Sequence, residues 1–113
     1  MATKKKNPKA TKRSHPMPYV IVRCTAAGVH AGELVSIDGP HVLVRNARRL
    51  WEWRVPMGAG SFLSGVSQSG LGENCQIGVA VPEIHLLDAC EVIPCTDVAA
   101  KSIKEYASNV RTK

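Results

Sequence analysis

The chain has 113 residues, of which 44% are hydrophobic, 21% charged and only 4% aromatic, and its formal net charge is +6. That length holds one domain with a modest core and excludes a multidomain design. No apolar run approaches a membrane span and no hydrophobic segment follows the basic start, so neither membrane insertion nor signal-peptide secretion is expected, and the expected setting is a reducing cytosol.

The charge sits at one end. Lys4, Lys5, Lys6, Lys9, Lys12 and Arg13 fall within residues 1–18 without a single acid, whereas residues 19–113 carry nine basic and nine acidic side chains. The high isoelectric point therefore reports an arm, and the body is neutral. Pro8, Pro16 and Pro18 punctuate this arm and almost nothing in it is apolar, so the sequence predicts a disordered basic arm over 1–18 and one compact β-rich domain over 19–113. The arm reads either as a solubilising tail or as a segment that lies on nucleic acid or an acidic protein surface. With all six charges on duplex DNA phosphates, log affinity would fall against log salt with a slope of roughly −5. A mitochondrial transit peptide fits less well, because lysine and proline stand where arginine, serine and amphipathic spacing belong.

After Pro18, YVIVRCT (19–25) is rich in β-branched residues and reads as a strand. AAGVHAG separates it from ELVSI (33–37), and Asp38-Gly39 then joins this to HVLVR (41–45) as a hairpin, because glycine supplies the positive φ of a tight turn. In that third strand Val42 and Val44 point to one side, Leu43 and Arg45 to the other. The stretch from Pro56 to Asn74 is glycine-rich and reads as a loop with a short helical insert, capped by Ser61 and turning Phe62 and Val66 inward. IGVAV (77–81) and EIHLLDACEVI (83–93) give one or two further strands, with Pro82 at the edge or break between them. Pro94 ends the last strand, and Thr96 or Asp97 caps a helix with Ala99, Ile103, Tyr106 and Val110 on one stripe and Lys101 paired to Glu105 outside. The expected fold is mainly β: a small twisted antiparallel sheet, or a partial barrel whose central hairpin resembles those of SH3-like and Sm-like barrels, with a short helical insert and a C-terminal helix.

NARRLWEW (46–53) holds both tryptophans of the chain, two adjacent arginines and a glutamate. Two conformations compete for it. A strand resuming after a kink at Asn46 and Ala47 puts Arg49, Trp51 and Trp53 on one face and Arg48, Leu50 and Glu52 on the other. A helical turn capped by Asn46 instead pairs Arg48 with Glu52 and stacks Arg49 on Trp53. The strand is the preferred reading. Three roles remain open for Asn46, Arg48, Arg49, Trp51 and Trp53. Tryptophans can anchor the core with arginine stems packed on them; arginine forks and an indole face can grip phosphate and a stacked base; and both residue types are enriched in protein-docking hot spots. A mixed outcome is expected, with one indole buried and the other at the rim beside the arginines.

Cys24, Cys75, Cys90 and Cys95 show no C-x-x-C spacing and read as free thiols, and His30, His41 and His85 fall on different elements, so no metal site is expected. Neither a nucleophile elbow, a Walker loop nor a dinucleotide fingerprint occurs, so neither enzymatic activity nor a cofactor is expected. The run from YVIVR through AGVHAGELVS, HVLVRNARRLWEW and the Gly/Ser loop to EIHLLDACEVIPCTDVAAKSI resembles an uncharacterised family of small proteins encoded by tailed bacteriophages and prophages. The marks of that family are Asn or Asp, then Ala-Arg-Arg, an aliphatic residue and Trp-x-Trp, with a later strand ending in Ile-Pro before a helix. The basic arm departs from the family core, and the loop from Pro56 to Asn74 is unusually rich in glycine. The resemblance implies phage origin, hence the bacterial host cytoplasm or the virion as location. Together with the arm it gives two expectations. One is a virion structural or accessory protein docking on a phage or host assembly, which includes copies of itself, with the arm on nucleic acid or another anionic surface. The other is an intracellular counter-defence protein capturing a nucleotide signal or host protein through the Arg/Trp cluster.

Overall fold

The computed structural model describes residues 17–56 and 63–108. The six basic residues of the arm, together with Ser61, Phe62 and Val110, lie outside them. Strands β1 (Tyr19–Cys24), β2 (Val29–Asp38) and β3 (His41–Glu52) form a meander, followed by α1 (Leu63–Ser69), β4 (Gln76–Ile77), β5 (Val81–Leu86), β6 (Ala89–Pro94) and α2 (Asp97–Glu105). All pairings are antiparallel, in the order β4-β3-β2-β1-β6, with β5 also on β3. This is the expected twisted sheet with a helical insert and a C-terminal helix. It stays open: β5 and β6, linked through Leu87 and Asp88, form no ladder with each other.

β1 lies between β2 and β6 and buries both faces, which is why YVIVRC reads as a nearly continuous apolar run. Tyr19 and Ile21 face one core with Val29, Ala31, Leu50, Ile77, and Val66 and Ile103 from the helices. Val20, Val22 and Cys24 face a second core with Val42, Val44, Ala47 and Leu86. Fully burying an aliphatic side chain is worth about 1.5–3 kcal/mol, so the two layers together drive the fold.

Several boundaries differ from the sequence reading. β2 begins at Val29 instead of Glu33, because Val29, His30 and Ala31 pair with β3 and bury there. The strand expected over 77–81 divides into the two-residue β4 and the start of β5. Pro82 lies inside β5, which among the described residues pairs only with β3, so its other edge tolerates the missing N–H. The 83–93 run splits into two strands at Leu87 and Asp88. Gly39 holds the β2–β3 turn at φ 62°, as the Asp-Gly signal requires. Thr96 is the α2 cap: its Oγ1 accepts from Ala99 N (3.1 Å) and donates to Gln68 O at the end of α1 (2.8 Å), so one hydroxyl starts α2 and docks it. Ala99 and Ile103 are buried, and Lys101 pairs with Glu105 at 3.0 Å on the solvent side.

Candidate functional site: the two faces of β3

A bulge in β3 organises the cluster. Asn46 adopts φ 52°, and the β2–β3 register slips between Ala31 and Glu33, leaving Asn46 and Ala47 opposite Gly32. A Cβ on Gly32 would lie 2.5 Å from Val44 Cγ1 and 2.9 Å from Arg45 O, so only glycine lets the bent strand approach. The extra residue inverts the alternation. Before it, even-numbered Val42 and Val44 fill the second core; after it, odd-numbered Ala47 does, and even-numbered Leu50 joins the core beneath the helices. Arg48 follows Leu50 to the helix side, while Arg49 and Trp51 follow Ala47 to the other.

Arg48 is 6% exposed and closes the C-terminal end of α2. Its Nη1 donates to Ile103 O (2.8 Å) and Tyr106 O (2.6 Å), and its Nε to Gly78 O (2.8 Å). A cation on the last carbonyls of a helix satisfies orphan acceptors and the negative end of the helix dipole together. Tyr106 reinforces the junction, its hydroxyl accepting from Cys75 N and donating to Gly72 O. The alternative pairing of Arg48 with Glu52 does not form; Glu52 instead accepts from Gln76 Nε2 at 3.1 Å.

Arg49 has a different environment. Its guanidinium carbon lies 3.9 Å from the centroid of the Trp51 ring, two residues along the strand, and Trp51 is 51% exposed. The Arg49 side chain crosses Gly28, where φ is +91° and an added Cβ would sit 2.7 Å from Nη2. Cross-strand from Arg49 lies buried His30, whose Nε2 is 2.9 Å from Ala27 O. Burial lowers the His30 pKa and the Arg49 charge lowers it further, so the ring is held neutral. Asp88 carries the neighbouring β1–β2 loop, accepting from Ala26 N at 2.6 Å through its carboxylate and from Thr25 N at 3.0 Å through its carbonyl. Gly78 N bonds to Arg49 O, and β5 starts with Val81 opposite Ala47, so exposed Val79 and Val81 extend the apolar surface along this edge.

Trp53 lies beyond the end of β3 and packs half-buried against the helix-side core, away from its expected face-mates Arg49 and Trp51. Asn46 lies on the surface, its Nδ2 3.3 Å from Glu33 Oε1. The five residues of the motif therefore divide three ways: Arg48 and Trp53 support the fold, Arg49 and Trp51 form an exposed stack, and Asn46 shapes the strand. Asn46 and Arg48 also line a cleft of about 260 Å³ with Tyr19, Glu33, Ala80 and Lys104.

One grouping escaped the sequence reading. His41 on β3 and His85 on β5 meet with Nε2 and Nδ1 2.9 Å apart, although 44 residues separate them in the chain. Only the β3–β5 pairing, which places Leu43 opposite His85, brings them together. Among the described residues no group of three or more His, Cys, Asp and Glu side chains could hold a metal. Burial pushes the Cys24 and Cys95 thiols up to about 11, leaving both protonated and poorly nucleophilic at neutral pH.

No curated protein and no solved structure matches the chain. A family model does, described as "Domain of unknown function (DUF6948)", and it covers residues 17–103, the span from the end of the arm through most of α2. The bulged strand, its divided arginines and the helix that Arg48 closes all lie within or directly against that span, and the chain belongs to the DUF6948 family.

Proposed function

We propose that this chain is a non-enzymatic phage protein that docks on a macromolecular assembly through the Arg49–Trp51 face of β3, with the basic arm of residues 1–18 reaching nucleic acid or another anionic surface. One observation carries the reading: an indole left 51% exposed beneath a guanidinium 3.9 Å away, in a chain with only two tryptophans. Burying that indole would be worth more to the fold than leaving it in water, so its position favours a partner that covers it. Trp and Arg are also the side chains that dominate binding hot spots. Val79, 68% exposed, and Val81, 39% exposed, supply an apolar margin. The phage assignment draws on the NARRLWEW resemblance, and the non-enzymatic assignment on the lack of recognised catalytic motifs in the sequence.

Quantitative mass spectrometry of gradient-purified phage particles against infected-cell lysate tests it. A fixed, high copy number per particle is expected, reduced by Trp51→Ala and by deletion of residues 1–18. Abundance in lysate with none in particles would overturn docking on the virion. The second reading, capture of a nucleotide signal or host protein inside the cell, would then take its place. It draws on the same stack, since an indole face accepts a base and a guanidinium fork accepts phosphate. Only Arg49 is free for that role, however, because Arg48 is spent on the end of α2.

A further inference from the structure

The cleft beside the end of α2 has a different character from the Arg49–Trp51 face. Tyr19 from β1, Glu33 from β2, Asn46 and Arg48 from β3, Ala80 from the β4–β5 link and Lys104 from α2 enclose about 260 Å³. Tyr19 is only 7% exposed, and its hydroxyl is buried without a hydrogen-bond partner. A buried hydroxyl left unpaired costs about 1–3 kcal/mol, whereas phenylalanine would fill the same space without that cost. The Lys104 ammonium stands 5.2 Å from the centroid of the Tyr19 ring and forms no ion pair among the described residues. On the opposite strand Glu33, paired in register with Tyr19, receives one long bond from Asn46 at 3.3 Å. Arg48 keeps its positive charge at the cleft wall, but its Nε and Nη1 are directed at backbone carbonyls.

We infer that this cleft binds an amino-acid-sized zwitterion, with its carboxylate between the Tyr19 hydroxyl and the Lys104 ammonium and its own ammonium on Glu33. Charge and size select this class. A phosphate dianion would meet the Glu33 carboxylate as well as the Lys104 and Arg48 cations, whereas a zwitterion meets an opposite charge at each end. Ligand pockets for cofactors and nucleotides run to roughly 300–1,000 Å³, so this cleft is too small for a nucleotide and suits a compact metabolite. The left-handed turn at Asn46 holds the Glu33 partner at the rim, a conformation that asparagine tolerates better than other side chains.

The test is an NMR titration of the full-length ¹⁵N-labelled protein with each proteinogenic L-amino acid in turn, and with acetate, methylammonium and inorganic phosphate as single-charge and dianion probes. At least one amino acid is expected to shift the amide signals of Glu33, Asn46, Ala80 and Lys104 saturably at millimolar concentration. Acetate and methylammonium should each bind roughly tenfold more weakly or less, since each forfeits one charged contact. Tyr19→Phe keeps the ring and removes only the hydroxyl. It should weaken binding roughly tenfold while the free protein becomes no less stable to urea, because the orphan group is gone. Glu33→Gln should abolish the preference for the amino acid over acetate. No saturable shift with any amino acid, tighter binding of phosphate, or full affinity in Tyr19→Phe would each overturn the inference.

Discussion

Arg48 and Arg49 are neighbours in sequence and opposites in the fold. Arg48 runs under α2 and is enclosed by Ile103, Tyr106 and Gly78 carbonyls, so its charge belongs to the architecture. Arg49 runs the other way, over Gly28 and onto a half-exposed indole, so its charge remains available to a partner. The dipeptide Arg-Arg looks like one basic patch when read as sequence, but it is two unrelated devices. What separates them is a single extra residue at the Asn46–Ala47 bulge, which sets which parity of β3 faces the helices.

The largest expected effect is on the buried side. Arg48→Ala strips three carbonyls of their donor at a buried site, and should lower unfolding free energy by roughly 2–4 kcal/mol in urea denaturation. A loss no larger than that of Arg49→Ala would break the contrast between the two arginines. Next comes Gly28→Ala, which imposes positive φ on a residue with a Cβ and pushes it toward the Arg49 guanidinium; about 1–2 kcal/mol should be lost, with a change in Trp51 fluorescence as the stack shifts. An unchanged emission spectrum would show that Arg49 does not depend on the glycine for its path.

A smaller effect is expected from pH. The His30 pKa is lowered in the folded state, so the unfolded chain takes up the proton first. His30 therefore contributes stability that is fully present above its unfolded value of about 6.5 and is lost as pH falls through the depressed folded value. His30→Gln should flatten the fall in urea midpoint between about pH 7.5 and about pH 5; equal slopes in the two proteins would place the acid sensitivity elsewhere. The smallest effect on stability belongs to Trp51→Ala, under about 1 kcal/mol for an exposed cation–π contact. That variant should nonetheless lose its partner, and a protein that unfolds instead would move Trp51 from surface to scaffold.

The residues themselves made much of the fold legible. The β-branched run at 19–24, the Asp38-Gly39 turn, the Thr96 cap and the Ala99–Ile103 spacing each carry a local signal, because turn geometry, capping and side-chain period act over a few neighbouring residues. The kink at Asn46 and Ala47 was readable too, and Trp51 lies at the rim, but Trp53 is half-buried where a buried indole was expected and Arg48 is buried instead of standing at the rim. Less legible were the start of β2 at Val29, where small and polar residues pair only because β3 lies beside them, and the splitting of the late strands, which depends on where β3 can accept partners.

Sequence alone thus determined a neutral β-rich body behind a basic segment and a short motif dense in arginine and tryptophan, because composition and local periodicity need no long-range partner. Tertiary structure alone decided that Arg48 caps a helix 55 residues away, that His41 meets His85, and that Tyr19, Glu33 and Lys104 converge on one cleft. Those outcomes rest on strand register and on a one-residue bulge. A shift of one residue in an alternating strand sends every later side chain to the other face, and no local preference of the residues concerned records which face it will be.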